Sequence, residues 1–425
     1  MAIHLKTKTI KACLLLPIFC FLLSTSASAT SLEEAIDIAK SNNKTIKAED
    51  YKLEATKSLK NEAIAEFLPS VKASGQYGQR KSSAATNSVN RGYNSNRIEE
   101  ISAEQPIFDG FGSVAKMHEA DYKINSAASQ NRSKKQEISF KVVQAYCDLF
   151  RYEQLLKIQK NSEELAEEIS QLATTRKTKR VIDKSDAIKF EYEIAQVKAR
   201  RFEYESKLMQ AKFAYRNIVG DLHFGLHLPP ITPEKFDEKT SVEKAIANNE
   251  NLKSYHFKHL ASQSSYSVQK SEFSPSVSVV GSISRQNNAI YLNGQDFQNR
   301  SVYLNVSVPF FQKGVEYSNL NKTRNEMSAA REEVEVEKDE LIKDVGQAMQ
   351  EYELSLNMTS SNQSLFGLAK ERAEILTKRF DAGTEDIIEL LRAKIELNEK
   401  QISLINSQSD LTNAYYKIKF LLGEI

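Results

Sequence analysis

The sequence predicts an internally duplicated α+β membrane protein, with a few bilayer-length strands set on very long coiled-coil helices. Three observations predict this. Gly and Pro number 14 and 8 in 425 residues, about 5% of the chain against roughly 12% in an average protein. So few breakers favour long helices over sandwiches, propellers or Gly-rich nucleotide folds. Four short segments alternate apolar and small polar residues with period 2. The chain also repeats itself about 200 residues on. An apolar fraction of 40% beside 27% charged residues argues against a bundle of transmembrane helices.

The N-terminus stands apart. Lys6, Lys8 and Lys11 precede an apolar run from Ala12 to Leu23, and Ser26-Ala27-Ser28-Ala29 supplies small residues for cleavage. Residues 1–29 therefore predict a secretory signal peptide, cut before Thr30. Cys20 follows Pro17-Ile18-Phe19 and Cys13 follows Lys11-Ala12. Neither offers the small residues of a lipid-attachment site. Loss of the leader removes three Lys and no acid, turning a net charge of +2 into −1. A near-neutral chain has no electrostatic footprint for nucleic acid. Of the 3 Cys only Cys147 would remain, which excludes an internal disulfide. No later stretch approaches 18 apolar residues, so membrane entry would need strands.

The duplication is explicit. Ser31-Leu32-Glu33-Glu34-Ala35-Ile36 matches Ser241-Val242-Glu243-Lys244-Ala245-Ile246, and Asn42-Asn43 matches Asn248-Asn249. Phe67-Leu68-Pro69-Ser70-Val71 sits against Phe273-Ser274-Pro275-Ser276-Val277. Further on, Pro106 pairs with Pro309, Arg176 with Arg379, Leu208 with Leu411 and Gly220 with Gly423. The halves are expected over 30–220 and 241–425, joined by a Pro-rich linker at 221–240.

Each half reads as helix, two strands, long helix, return helix. The first helices span about 32–66 and 241–272, and end before Pro69 and Pro275, whose rings cannot continue the ladder. Strands are expected near 70–80, 97–108, 276–285 and 301–311. Val277, Val279, Gly281 and Ile283 alternate with small polar residues, as do Val302, Leu304, Val306 and Val308 with Tyr303, Asn305 and Ser307. Such lengths and alternation suit a barrel with one face to lipid and one to water. An ordinary amphipathic sheet packed on helices explains the alternation equally well. Two strand pairs, each flanked by very long helices, favour the barrel. Residues 81–96 and 286–300 read as polar surface loops.

The long helices are expected over about 112–177 and 314–380, near 100 Å each at 1.5 Å per residue. Leu320, Met327, Val334, Leu341 and Ala348 recur in sevens, with Val345 and Tyr352 interleaved, and Met117, Ile124, Ile138 and Ala145 do so in the first half. Sevens with 3–4 spacing mean coiled-coil packing. A return helix (184–220 or 387–422) added to a first helix equals one long helix, so two short helices can line it end to end. Four strands cannot close a barrel, and an open edge in lipid is not tolerated. Copies must therefore assemble, as a dimer with eight strands or a trimer with twelve.

The duplicated unit, the Phe-Leu-Pro-Ser-Val stop, the turn Gln105-Pro106-Ile107-Phe108-Asp109-Gly110 and the turn Arg379-Phe380-Asp381-Ala382-Gly383-Thr384 resemble the TolC family of outer-membrane efflux proteins. The resemblance runs over 31–425. It implies a homotrimer whose chains each give four strands to a 12-stranded barrel in outer-membrane lipid, above a periplasmic α-helical tunnel. It implies a passive exit duct for efflux or type I secretion. Its partners would be a periplasmic adaptor (membrane fusion protein) and an inner-membrane RND or ABC transporter. The periplasmic tips would fall at Arg176, Arg180, Asp183 and Asp186, and at Arg379, Gly383, Thr384, Asp386, Glu389 and Arg392. The family's entrance is typically acidic. Glu389 keeps that charge, whereas Arg392 departs from it and can pair with Glu389 at i, i+3. Lys72, Glu100, Glu104, Tyr303 and Asn305 lie on the polar strand faces and are candidates for the barrel lumen.

Catalytic signatures and phosphate loops are missing, and His256 and His259, three apart, lack the Cys or paired carboxylates of a metal site. The reading is thus neither an enzyme nor a cofactor protein. A periplasmic coiled-coil adaptor or scaffold without membrane insertion is the alternative. It explains the helices but not the strands.

Overall fold

The computed structural model describes residues 31–80, 94–178, 184–220, 225–288, 296–311 and 313–425. The expected leader, Arg180 and Asp183 lie outside the described residues. The first half comprises α1 (Leu32–Asn42), α2 (Lys44–Ala65), β1 (Ser70–Arg80), β2 (Asn94–Phe108), α3 (Gly112–Thr178) and α4 (Lys184–Val219). The second comprises α5 (Glu238–Asn248), α6 (Glu250–Ser271), β3 (Ser276–Asn288), β4 (Asp296–Ser307), α7 (Val315–Asp381) and α8 (Ile387–Leu421).

The first helix of each half, expected as one piece, is two. A single extended residue breaks it, Asn43 in one half (φ −64°, ψ 125°) and Asn249 in the other (φ −62°, ψ 116°). Each Asn ends one helix and caps the next. The Asn43 carboxamide oxygen accepts from Thr45 N at 2.8 Å, and its amide donates to the Ile218 carbonyl at 2.9 Å. Asn249 accepts from Leu252 N at 2.9 Å. Asn competes for backbone groups in this way, which is why it favours caps over helix interiors.

The four strands form one antiparallel sheet in the order β1-β2-β3-β4. The strands outrun their expected ends. β2 starts at Asn94, β3 runs on to Asn288 and β4 begins at Asp296, so part of both expected loops belongs to the ladder. Polar pairs hold these outer rungs, including Arg285 to Asp296 and Asn287 to Asp296 at 3.0 Å. β4 in turn stops at Ser307, just before Pro309, which has no N–H to give the ladder.

Helices α3 and α7 are each 67 residues long, about 100 Å. α2 and α6 pack on the sheet-proximal part of α3, tied by Lys60–Asp121 at 2.9 Å and Arg132–Glu250 at 2.8 Å. α4 and α8 pack on its distal part, through Arg201–Glu163 at 2.7 Å and Asn398–Ser162 at 2.6 Å. α7 packs on α6 and α8. The short helices therefore do line the long ones end to end.

Two apolar clusters sit midway along the stalk. One joins Leu32, Ala35 and Ile36 of α1 to Val142, Tyr146, Cys147 and Leu149 of α3 and to Tyr215 and Val219 of α4. The other joins Leu341, Val345, Ala348 and Tyr352 of α7 to Leu411, Ile418 and Leu421 of α8. Each large side chain so buried contributes about 1.5–3 kcal/mol. The sevens are visible in this burial: Leu341, Val345, Ala348 and Tyr352 are buried and Leu320, Met327 and Val334 half-buried. Tyrosine hydroxyls anchor the linker, with Tyr146 donating to the His227 carbonyl at 2.9 Å and Tyr352 accepting from Glu234 N at 3.1 Å. Burial pushes the Cys147 thiol up to about 12, so it stays protonated and inert.

Candidate functional site: a two-faced sheet and a charged tip

The sheet register sorts the strand residues onto two faces. Lys72 stands opposite Ser102, which faces Ser282, which faces Ser301. One rung outward lie Ser74, Glu100, Ser284 and Asn299, and one rung inward Ser70, Glu104, Val280 and Tyr303. Asn305 pairs with Ser278 on the same side. All five lumen candidates thus share one polar face, and Ser282 and Ser301 exchange a hydroxyl hydrogen bond at 2.8 Å.

The opposite face is apolar in its stalk-proximal rows. It carries Val71, Ala73, Ile101, Ala103, Val277, Val279, Ile283, Val302, Leu304 and Val306. Val302 is 75% exposed and Leu304 68%, which no water-facing sheet sustains over so large a patch. From Val302 to Phe310 the apolar run measures about 26 Å along the chain at 3.3 Å per residue. Phe108, Phe111, Phe310 and Phe311 lie at its stalk end, all exposed, with Phe108 and Phe111 edge to face at 5.4 Å. An apolar band about 25 Å tall with an aromatic girdle is the outer surface of a transmembrane barrel.

Sharp turns join this sheet to the stalk. Gly110 and Phe111 both have positive φ, as do Lys313 and Gly314 in the second half. A Cβ on Gly110 would lie 2.3 Å from Ser274 Cβ and 2.9 Å from the Ser271 carbonyl. Only glycine fits there. Asp109 then caps α3 by accepting from Ser113 N at 2.6 Å.

At the far end, α7 turns into α8. Gly383, with φ 75°, lets Thr384 N donate to the Arg379 carbonyl at 2.9 Å and Gly383 N to the Phe380 carbonyl at 3.0 Å. This pair of bonds is the Schellman helix stop. Asp386 is the N-cap residue of α8, without a side-chain cap bond. Beneath the turn, Ile387 and Leu391 pack on Leu165 of α3 and on Phe380. Charges line the surface: Glu389 meets Arg392 at 2.8 Å and Arg372 at 4.0 Å, Arg372 also binds Glu396, and Arg379 meets Glu385 at 3.8 Å. The structure thus brings Glu389 and Arg392 together. Arg372 and Glu396 escaped the sequence reading. Folding the two helices about Thr384 sets position 372 opposite 396, a register that would have found them. On the first tip, Arg176 lies on α3 and Asp186 on α4.

Comparison with known proteins bears on all of this. The family model described as outer membrane efflux protein matches twice, over residues 35–220 and 241–424. The chain belongs to the outer membrane efflux protein family. The two matches meet at the Pro-rich linker. The efflux protein BepC of Brucella suis is 21% identical over 339 residues, covering 76% of this chain and 72% of its own. The outer membrane protein TolC of Vibrio cholerae is 22% identical over 360 residues, covering 79% and 81%. The Campylobacter jejuni CmeC outer membrane channel superposes with a TM-score of 0.82 at 14% identity, over 92% of this chain and 85% of that one. The protein is therefore an outer-membrane efflux channel component with a periplasmic helical extension, not an enzyme. Family membership sets aside a scaffold that never enters the membrane.

Proposed function

We propose that three copies of this chain form one 12-stranded barrel and one helical tunnel, a passive duct gated at its periplasmic tip. The observation that carries this reading is a match of edges. β1, α2 and α4 lie on one flank of the chain, and β4 and α7 on the other. Both flanks are unsatisfied. α4 exposes Ile188, Tyr192, Phe202, Met209 and Phe213, and α7 exposes Val336, Leu354, Met358, Leu365, Leu368 and Ile375. A head-to-tail contact between two such flanks closes into a ring. It pairs β4 with β1 of the next copy and removes every open edge from lipid.

The polar sheet face then becomes the lumen, where Lys72 and Arg80 of β1 balance Glu100 and Glu104 of β2. At the tip, Glu389 is the entrance carboxylate and Arg392 tempers it. An adaptor and an inner-membrane RND or ABC transporter supply the energy and splay α4 and α8. The duct serves small-molecule efflux or type I secretion according to the transporter it meets.

Two measurements test this. Light scattering of the detergent-solubilised protein should give three chains per particle; a monomer overturns the reading. In planar bilayers, Glu389→Gln should reduce cation selectivity and Arg392→Ala should raise it. Identical selectivity in both variants would remove the entrance role from this pair.

A further inference from the structure

The outward sheet face is not apolar throughout. At its loop-proximal end, beyond the aliphatic rows, the register places three arginines. Arg300 lies in the row of Ala73, Ile101 and Ile283, Arg285 in the next row with Gly75, Glu99 and Gln298, and Arg97 in the last with Tyr77, Asn287 and Asp296. These three rows run from Ile283 to Asn287 of β3, four steps or about 13 Å along the strand. On a tilted strand that length is enough to cross the headgroup layer above the hydrocarbon.

The charges do not cancel. Two acids, Glu99 and Asp296, oppose three guanidinium groups. Glu99 holds Arg97 and accepts from Tyr77 at 2.6 Å, and Asp296 holds Arg285. Arg300 is exposed and has no ion pair or hydrogen bond among the described residues. Arg97 and Arg285 stay more than half exposed despite their pairs, at 57% and 55%. Below the row of Arg300 the described strand residues of this face include no Lys or Arg. The stalk end carries phenylalanines instead. The asymmetry between the two ends is the informative feature, because the two leaflets of such a membrane differ in the same sense.

We infer that this arginine row is a binding surface for phosphorylated lipid of the outer leaflet. The phosphate sits on Arg300 and the outer guanidinium groups of Arg285, while the acyl chains lie on Ile283, Val302 and Leu304. Guanidinium is the side chain suited to this task, since its fork matches phosphate oxygens and stays charged at any pH. Arg300 borders the hydrocarbon at the interface, where a charge is tolerated and its guanidinium remains free to meet an anion. The inference rests on the membrane orientation proposed above, with the apolar sheet face turned outward.

The test uses the full-length chain purified from outer membranes in mild detergent. Co-purifying diphosphorylated outer-leaflet lipid is quantified by mass spectrometry. Wild type should retain it, and Arg300→Gln, which breaks no ion pair of the sheet, should retain about threefold less. The variant Arg97→Gln/Arg285→Gln/Arg300→Gln should fall to background. Added back to delipidated protein, the diphosphorylated lipid should raise the melting temperature of the oligomer. The dephosphorylated lipid should not, and millimolar inorganic phosphate should not compete. Equal retention by wild type and Arg300→Gln, or equal stabilisation by dephosphorylated lipid, overturns the inference. Conductance of Arg300→Gln in phospholipid bilayers should equal that of wild type. Loss of lipid binding is thereby separable from failure of the channel itself.

Discussion

Single residues decide how this chain bends. Gly110, Gly383 and Gly423 all adopt positive φ, yet they differ in what surrounds them. A Cβ at 383 meets nothing within 4 Å, one at 423 meets the Asn248 carbonyl at 3.1 Å, and one at 110 meets Ser274 at 2.3 Å. Replacing each with Ala should therefore cost stability in that rising order. Gly383→Ala loses about 1 kcal/mol of backbone strain alone, and Gly110→Ala should fail to assemble. Thermal melts of the three variants check the ranking. Asn43→Ala removes a cap and a tie to Ile218, and should cost about 1–2 kcal/mol. Asp148 makes a pH prediction. Burial holds its carboxyl above the usual range, Arg151 opposing and Asp410 adding. The folded chain thus binds this proton more tightly than the unfolded one. The stability it contributes is full in acid and is lost as pH rises through the raised pKa. Asp148→Asn should melt higher than wild type at pH 7, and the gap should vanish near pH 4. A gap that persists at pH 4 would assign the effect to packing.

At the scale of elements, legibility depended on how far a signal extends. The 67-residue helices were readable because a Gly or Pro is costly in a helix interior and almost none occurs there. Val302, Leu304 and Val306 announced a strand because period 2 leaves little else. The break at Asn43 was hidden, since one extended residue hardly disturbs a 3.6 period. Its repeat at Asn249 was the available clue. Polar outer rungs such as Asn287–Asp296 read as loop because ladder bonds are made by backbone and leave no hydrophobic trace. The tip network of Arg372, Glu389, Arg392 and Glu396 needs partners from two helices, and only the fold aligns them. The exposed flank of α7 carries its own prediction. Leu368 is 64% exposed and belongs to none of the apolar clusters described above. Leu368→Asp should leave helical circular dichroism intact and abolish the slow-migrating oligomer on a native gel. Retention of the oligomer would displace the contact from this flank.

The whole molecule is half of every interface it makes. Each copy presents two different flanks, one to the neighbour before it and one to the neighbour after. In the proposed ring no copy can be spared, because a gap leaves both strand edges and both helix flanks bare. The genetic consequence is dominance. A variant that enters the ring but jams the passage spoils every assembly it joins. In cells making equal amounts of normal and jammed chain, only about one ring in eight is wholly normal when three copies mix at random.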